Sequence, residues 1–163
     1  MIDLCSAVLA DFKDLVAPVP TTLRGKGKAV ELRPESGEVV LAHVTDSPLA
    51  RKKFGHPESA GKILDGLFYW RRTDAVHVVL VELKGNHVTD ACKQLEVGHQ
   101  LVKRRLPAKC APIQWHGFVA PSSASQQQSK AAVADFHAAH GFRPVVKSLP
   151  AGSKCLSIRE FFV

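Results

Sequence analysis

The run AVHVVLVELKG, residues 75–85, constrains this chain more than any other stretch. Seven of the nine residues from Ala75 to Leu83 are apolar, rich in β-branched types and too few for a long helix, so the run is expected to form a strand buried on both faces. It ends on Glu82 and Lys84. Side chains alternate along a strand, so these two share one face while Val81 and Leu83 share the other. A second apolar run, ILDGLFYW at 63–70, carries one acid, Asp65. With RRTD (71–74) between them, the two runs are expected to pair as an antiparallel hairpin. A two-residue turn at Thr73–Asp74 sets Asp65 opposite Glu82. A turn at Arg72–Thr73 sets it opposite Leu80 and diagonal to Glu82. Either register gathers Asp65, Glu82 and Lys84 on one face, and neither turn pair is of the favoured Asn-Gly type that would choose between them.

The remaining elements follow from periodicity. Residues 2–16 place Ile2, Cys5, Val8, Leu9, Phe12, Leu15 and Val16 on one helix face, stopped by Pro18 and Pro20. Strands are expected at 28–33 and 38–44, with PESG (34–37) as the turn between them. Residues 45–62 lack periodicity and are expected to form a basic loop. A helix at about 87–106 carries Val88, Ala91, Cys92, Leu95, His99, Val102 and Leu106 on one face, although Gly98 weakens it by up to ~1 kcal/mol relative to Ala. A strand at 111–121, a helix at 122–141 closed by Gly141, and two short strands at 143–148 and 154–162 around PAGS complete the pattern. A strand–helix–strand unit needs a parallel crossover and the 63–84 hairpin is antiparallel. The expected fold is therefore α/β (α+β), with a mixed central sheet flanked by helices in a single domain spanning 1–163.

Two carboxylates facing each other repel unless a cation lies between them. Magnesium takes hard oxygen ligands and keeps several waters, so one or two carboxylates suffice. Such an ion activates water and stabilises a phosphate under attack, and an adjacent lysine orients or deprotonates that water. Asp65, Glu82 and Lys84 are thus candidates for a phosphodiester-cleaving centre, Asp65 and Glu82 as ligands of Mg²⁺ (or Mn²⁺). An isolated E-x-K triplet arises by chance; the apolar strand before it, the Asp in the preceding run and the helix after a short Gly-Asn turn give this one its context.

The stretch ILDGLFYW…VVLVELKGNHVTDACKQLE resembles the PD-(D/E)xK nuclease superfamily, the restriction-endonuclease-like fold. Asp65 matches the Asp of its second core strand, Glu82 and Lys84 match E-x-K on the third, and Gln94 falls where many members carry a supporting Gln on the following helix. The resemblance implies an α-β-β-β-α-β core and a Mg²⁺-dependent nuclease, with DNA favoured over RNA as substrate and defence or repair as its setting. Leu64 stands where the signature has proline. The alternative is a non-cleaving nucleic-acid-binding or interaction subunit with the same fold.

The charge balance accords with a polyanionic partner: 22 Lys+Arg against 15 Asp+Glu gives a formal net charge of +7. Three basic groups, Arg51–Lys52–Lys53, Arg71–Arg72 and Lys103–Arg104–Arg105, flank the candidate centre in sequence and are the expected phosphate contacts. A domain this small is expected to dimerise to cut both strands, or to rely on a partner protein that delivers substrate. No apolar stretch approaches the length of a membrane span, and the first twenty residues lack a basic n-region, so a cytoplasmic protein is expected. The four cysteines, at 5, 92, 110 and 155, have no C-x-x-C spacing and are expected to be reduced thiols. His137 and His140 share a helix face without a matching ligand pair.

Overall fold

The computed structural model describes residues 11–25, 27–73, 75–83, 87–106, 112–122, 126–149 and 155–163. Most of the expected first helix, Lys84 and the PAGS turn lie outside them. Among the described residues eight strands and three α-helices are formed: β1 (Thr22–Gly25), β2 (Lys28–Glu31), β3 (Val39–Val44), α1 (Pro48–Phe54), β4 (Gly66–Arg71), β5 (Val76–Glu82), α2 (Val88–Arg105), β6 (Ile113–Val119), α3 (Gln126–His140), β7 (Val145–Val146) and β8 (Cys155–Ser157).

The central sheet has five strands in the order β3-β4-β5-β6-β7. β3, β4 and β5 are antiparallel neighbours, whereas β6 runs parallel to β5 and β7 parallel to β6. This is the mixed sheet expected from sequence: a hairpin for 63–84, then α2 as the crossover that a parallel β5–β6 pair requires. All seven residues of β5 are buried, which accounts for five of them being apolar and leaves His77 and Glu82 as the exceptions.

Alternation along the strands sorts the core into two layers. Leu67, Tyr69, Val78, Leu80 and Val119 pack against Ala91, Leu95 and Val102 of α2 and Val133 and Phe136 of α3. On the opposite face Phe68, Trp70, Val79, Val81 and Phe118 pack against Leu23 of β1, Val30 of β2 and Ile158 near the C-terminus. A small second sheet covers that face, in the order β1-β2-β8.

Several elements differ from the sequence expectations, among them the strands on either side of PESG, which fall in different sheets as β2 and β3. Residues 45–62 contain α1, whose N-terminus is capped by Ser47 Oγ accepting from Ala50 N, and which ends at Gly55 in the left-handed region (φ 64°). A helix of 7 residues is too short to show a period, so only its caps announce it. Strand β1 has no counterpart among the expected elements. Finally, β7 and β8 part company: β7 extends the central sheet, while β8 pairs in parallel with β2, Val30 opposite Leu156.

The edge strand β3 is covered by the chain before β1. Ala17 N donates to Ala42 O at 2.8 Å, and Ala42 N to Pro20 O at 2.6 Å. Both outward backbone groups of Ala42, at the middle of an otherwise open edge, are thereby satisfied.

Candidate active site

The β4–β5 ladder pairs Gly66 with Val81 and Arg71 with Val76. Arg72 N donates to Ala75 O at 2.9 Å and closes the hairpin. This is the first of the two registers open to the sequence. Extending it one residue past the ladder sets Asp65 opposite Glu82, on the face where Leu67 and Leu80 meet the helices. The Asp65 carboxylate accepts a hydrogen bond from Leu83 N at 2.8 Å. A second fastening holds the same segment: Thr45 Oγ1 donates to Leu64 O at 2.6 Å and Thr45 N to Asp65 O at 3.2 Å.

Glu82 is 1 % exposed, an expensive position for a carboxylate. Part of its surroundings comes from α2. With its amide oriented to suit its neighbours, Gln94 donates to Glu82 Oε2 and to Ile63 O, both at 3.2 Å. One side chain therefore ties α2 to both halves of the centre, to Glu82 directly and to Asp65 through the backbone two residues before it.

Two glycines let these parts approach. A methyl group at Gly98 would lie 1.6 Å from Leu64 Cδ2 and 2.9 Å from its Cγ. One at Gly66 would lie 2.6 Å from His43 O and 2.7 Å from Leu23 Cδ2. Gly98, a weakness for an isolated helix, is what allows α2 to lie against the residue preceding Asp65.

From the opposite layer, the end of β1 also reaches the centre. A Cβ on Gly25 would sit 3.8 Å from Asp65 Cγ and 3.5 Å from Leu83 Cδ1. Its ladder partner is Lys28, whose Nζ donates to Ala120 O at 2.9 Å and Ser122 Oγ at 3.0 Å. Ala120 N in turn donates to Glu82 O at 2.9 Å. Partial burial lowers the Lys28 pKa. Lys28 thus pins the end of β6 beside Glu82, a role sequence reasoning missed. The signal for it is RGKGK at 24–28, basic residues alternating with glycine at a hairpin tip.

The three basic groups do not converge on this centre. Arg71 lies at the far end of the sheet, five residues from Gly66 or about 17 Å. Arg72 is held there by Glu38 at 3.5 Å and lies over the Trp70 ring. Lys103, Arg104 and Arg105 close α2, about 25 Å from Val88 at 1.5 Å per residue. Only Arg51, Lys52 and Lys53 leave from the same end as the carboxylates, on α1, in the connection from Val44 to Gly66. Of these, Arg51 pairs with Asp46 at 3.0 Å and Lys53 with Asp14 at 3.3 Å, while Lys52 is exposed. Trp70 and Cys92 are core residues, and Cys92 and Cys155 are free thiols, as expected.

Among the described residues no three of His, Cys, Asp or Glu gather to hold a metal ion. The donors at the centre are the carboxylates of Asp65 and Glu82, hard oxygens of the kind Mg²⁺ takes, and two such groups suffice for an ion that keeps several waters. No helix among the described residues is long and apolar enough to cross a membrane. Comparison of the chain with family models, with curated proteins and with solved structures gives no match.

Proposed function

We propose that this protein is a metal-dependent nuclease of the PD-(D/E)xK type, acting on DNA in preference to RNA. The observation that carries the reading is the hairpin register: Asp65 opposite Glu82, with Gln94 of α2 hydrogen-bonded to the latter. The strand order, three antiparallel strands and then a helical crossover to a parallel fourth, agrees with the core the resemblance implies.

Asp65 and Glu82 would hold Mg²⁺ or Mn²⁺, which when bound activates water and offsets charge on the phosphate. The hydrogen bond from Leu83 N fixes the Asp65 carboxylate, and the Gln94 amide fixes that of Glu82, so neither has to be ordered when substrate arrives. Lys84, two residues beyond Glu82 in sequence, is assigned to the attacking water. Burial of Glu82 keeps bulk water from competing for the carboxylate.

The test is cleavage of plasmid, single-stranded DNA and RNA in Mg²⁺ and in Mn²⁺, with Lys84→Ala and Glu82→Gln beside the wild type. Cleavage that requires the ion and is lost in both variants is expected. Absence of cleavage on every substrate, or equal cleavage by the variants, would sink the reading in favour of a non-cleaving binding subunit.

A further inference from the structure

A cleft of ≈ 410 Å³ opens between α3 and β7, lined by Ser129, Lys130, Arg143 and Ser148 above an apolar floor that includes Pro121 and Val133. Its position follows from the ladder. Val119 pairs with Glu82 in β5 and with Val146 in β7, and Lys147 N donates to Val119 O at 3.0 Å. Pro121 is two residues past Val119, so the cleft begins about 8 Å from the Glu82 backbone at ordinary strand spacing and rise. It therefore lies at the same end of the sheet as the carboxylates, where two of the three expected basic groups are missing.

Its chemistry is one-signed. Two cations and two hydroxyl residues reach it from separate elements, Ser129 and Lys130 from α3, Arg143 from the turn after α3, and Ser148 from the chain after β7. Among the described residues no Asp or Glu lines it. Lys130 and Arg143 are exposed and take part in none of the ion pairs among the described residues. Arg51, Lys53, Arg72 and Arg159, by contrast, have carboxylate partners; what sets Lys130 and Arg143 apart from other exposed cations is that both line one concave cleft. A concave wall bearing a guanidinium, an ammonium and hydroxyl donors suits the tetrahedral oxygens of a phosphate.

Resting on the nuclease reading above, we propose that this cleft binds a backbone phosphate of the substrate strand, adjacent to the phosphate presented to Asp65 and Glu82. Lys130 and Arg143 supply the charge and the two serines supply hydroxyl hydrogen bonds. The Lys28-anchored end of β6 fixes the distance between cleft and centre. The subsite carries no base information, since phosphate contacts position a strand without reading it.

The experiment is binding of a short fluorescein-labelled single-stranded DNA, followed by anisotropy in EDTA across a salt series, so that cleavage plays no part. The doubly substituted Lys130→Ala/Arg143→Ala protein should bind about tenfold more weakly, with a salt slope lower by about 1 for each phosphate no longer neutralised. Removing the same charge at the far end, with Lys103→Ala/Arg104→Ala, should leave affinity and slope near those of the wild type. The single charge reversal Lys130→Glu should reproduce the loss, and unchanged melting temperatures show that each variant is folded. Equal weakening by both double variants would overturn the subsite, because net charge alone would then explain binding. So would a wild type that binds anionic vesicles but not the oligonucleotide. Binding that depends on Lys130 and Arg143 in a protein that cleaves nothing would retain the subsite and reject the nuclease.

Discussion

The carboxylate of Asp65 accepts a hydrogen bond from the backbone N–H of Leu83, the residue after Glu82, at 2.8 Å. That bond joins the start of β4 to the end of β5 just where the ladder stops. It also fixes one acid beside the other. Asp65→Asn should remove metal-dependent cleavage while retaining an acceptor for Leu83 N, at a stability cost of about 1 kcal/mol. Asp65→Ala should cost more, by leaving that N–H without its partner. Parallel cleavage assays and urea unfolding of the two variants check this; a cleaving Asp65→Asn protein would remove Asp65 from the centre.

Gln94 offers a separate test of how Glu82 is held. Gln94→Ala withdraws a donor from a carboxylate that is 1 % exposed and should destabilise by about 1–3 kcal/mol. Gln94→Glu should be worse, because a second carboxylate then faces Glu82. Mg²⁺ should rescue the stability of Gln94→Glu more than that of the wild type, by the added negative charge at the site. Melting temperatures with and without Mg²⁺ provide the comparison, and identical shifts in the two proteins would contradict it.

Gly98→Ala inverts the usual expectation for a helix. In an exposed helix the change would stabilise by up to ~1 kcal/mol. Here the new methyl group meets Leu64, which is fully buried, so α2 or Leu64 must move. A net loss of about 1–3 kcal/mol is expected, with a fall in cleavage because Leu64 precedes Asp65. The double variant Gly98→Ala/Leu64→Ala should recover part of the loss. Stabilisation by Gly98→Ala alone would show that the close approach is readily relieved.

Acid should destabilise the protein through two sets of groups. Burial lowers the pKa of His43, His99 and His116 from 6.5 to about 4. Below pH 6.5 the unfolded chain takes up protons that the folded one refuses, so stability falls as the pH drops towards about 4. The Arg159 hydrogen bond lowers Glu38 from 4.5 to about 2, with Trp70 Nε1 also donating to it at 3.1 Å. Its contribution is complete above about 4.5 and is lost as the pH falls through about 2. Unfolding midpoints across this range should decline continuously. His99→Phe, which keeps a ring against Trp115 and Phe142, should flatten the upper part, and Glu38→Gln the lower. A profile unaltered by either change would refute the assignment.

Local pattern determined much of this protein. The apolar run in AVHVVLVELKG established a strand, and the alternation of side chains along a strand put Glu82 and Lys84 on one parity. The 3.6-residue recurrence from Val88 to Val102 established α2 and its buried face. These are properties of neighbours along the chain, so periodicity carries them. Residues 45–62 read as a loop although α1 lies there, because a helix of seven residues shows no apolar face. What tertiary structure alone decided are relations between distant segments. Two registers of the hairpin satisfied the same face pattern, and packing chose the one with Asp65 opposite Glu82. The pairing of β8 with β2 joins Val30 to Leu156, a relation no local window contains. Spatial position likewise separated the cations: Lys103–Arg105 and Arg71–Arg72 stand beside the motif in sequence and at the far end of the sheet in space. Lys130 and Arg143, remote in sequence, return to it because β7 runs parallel to β6.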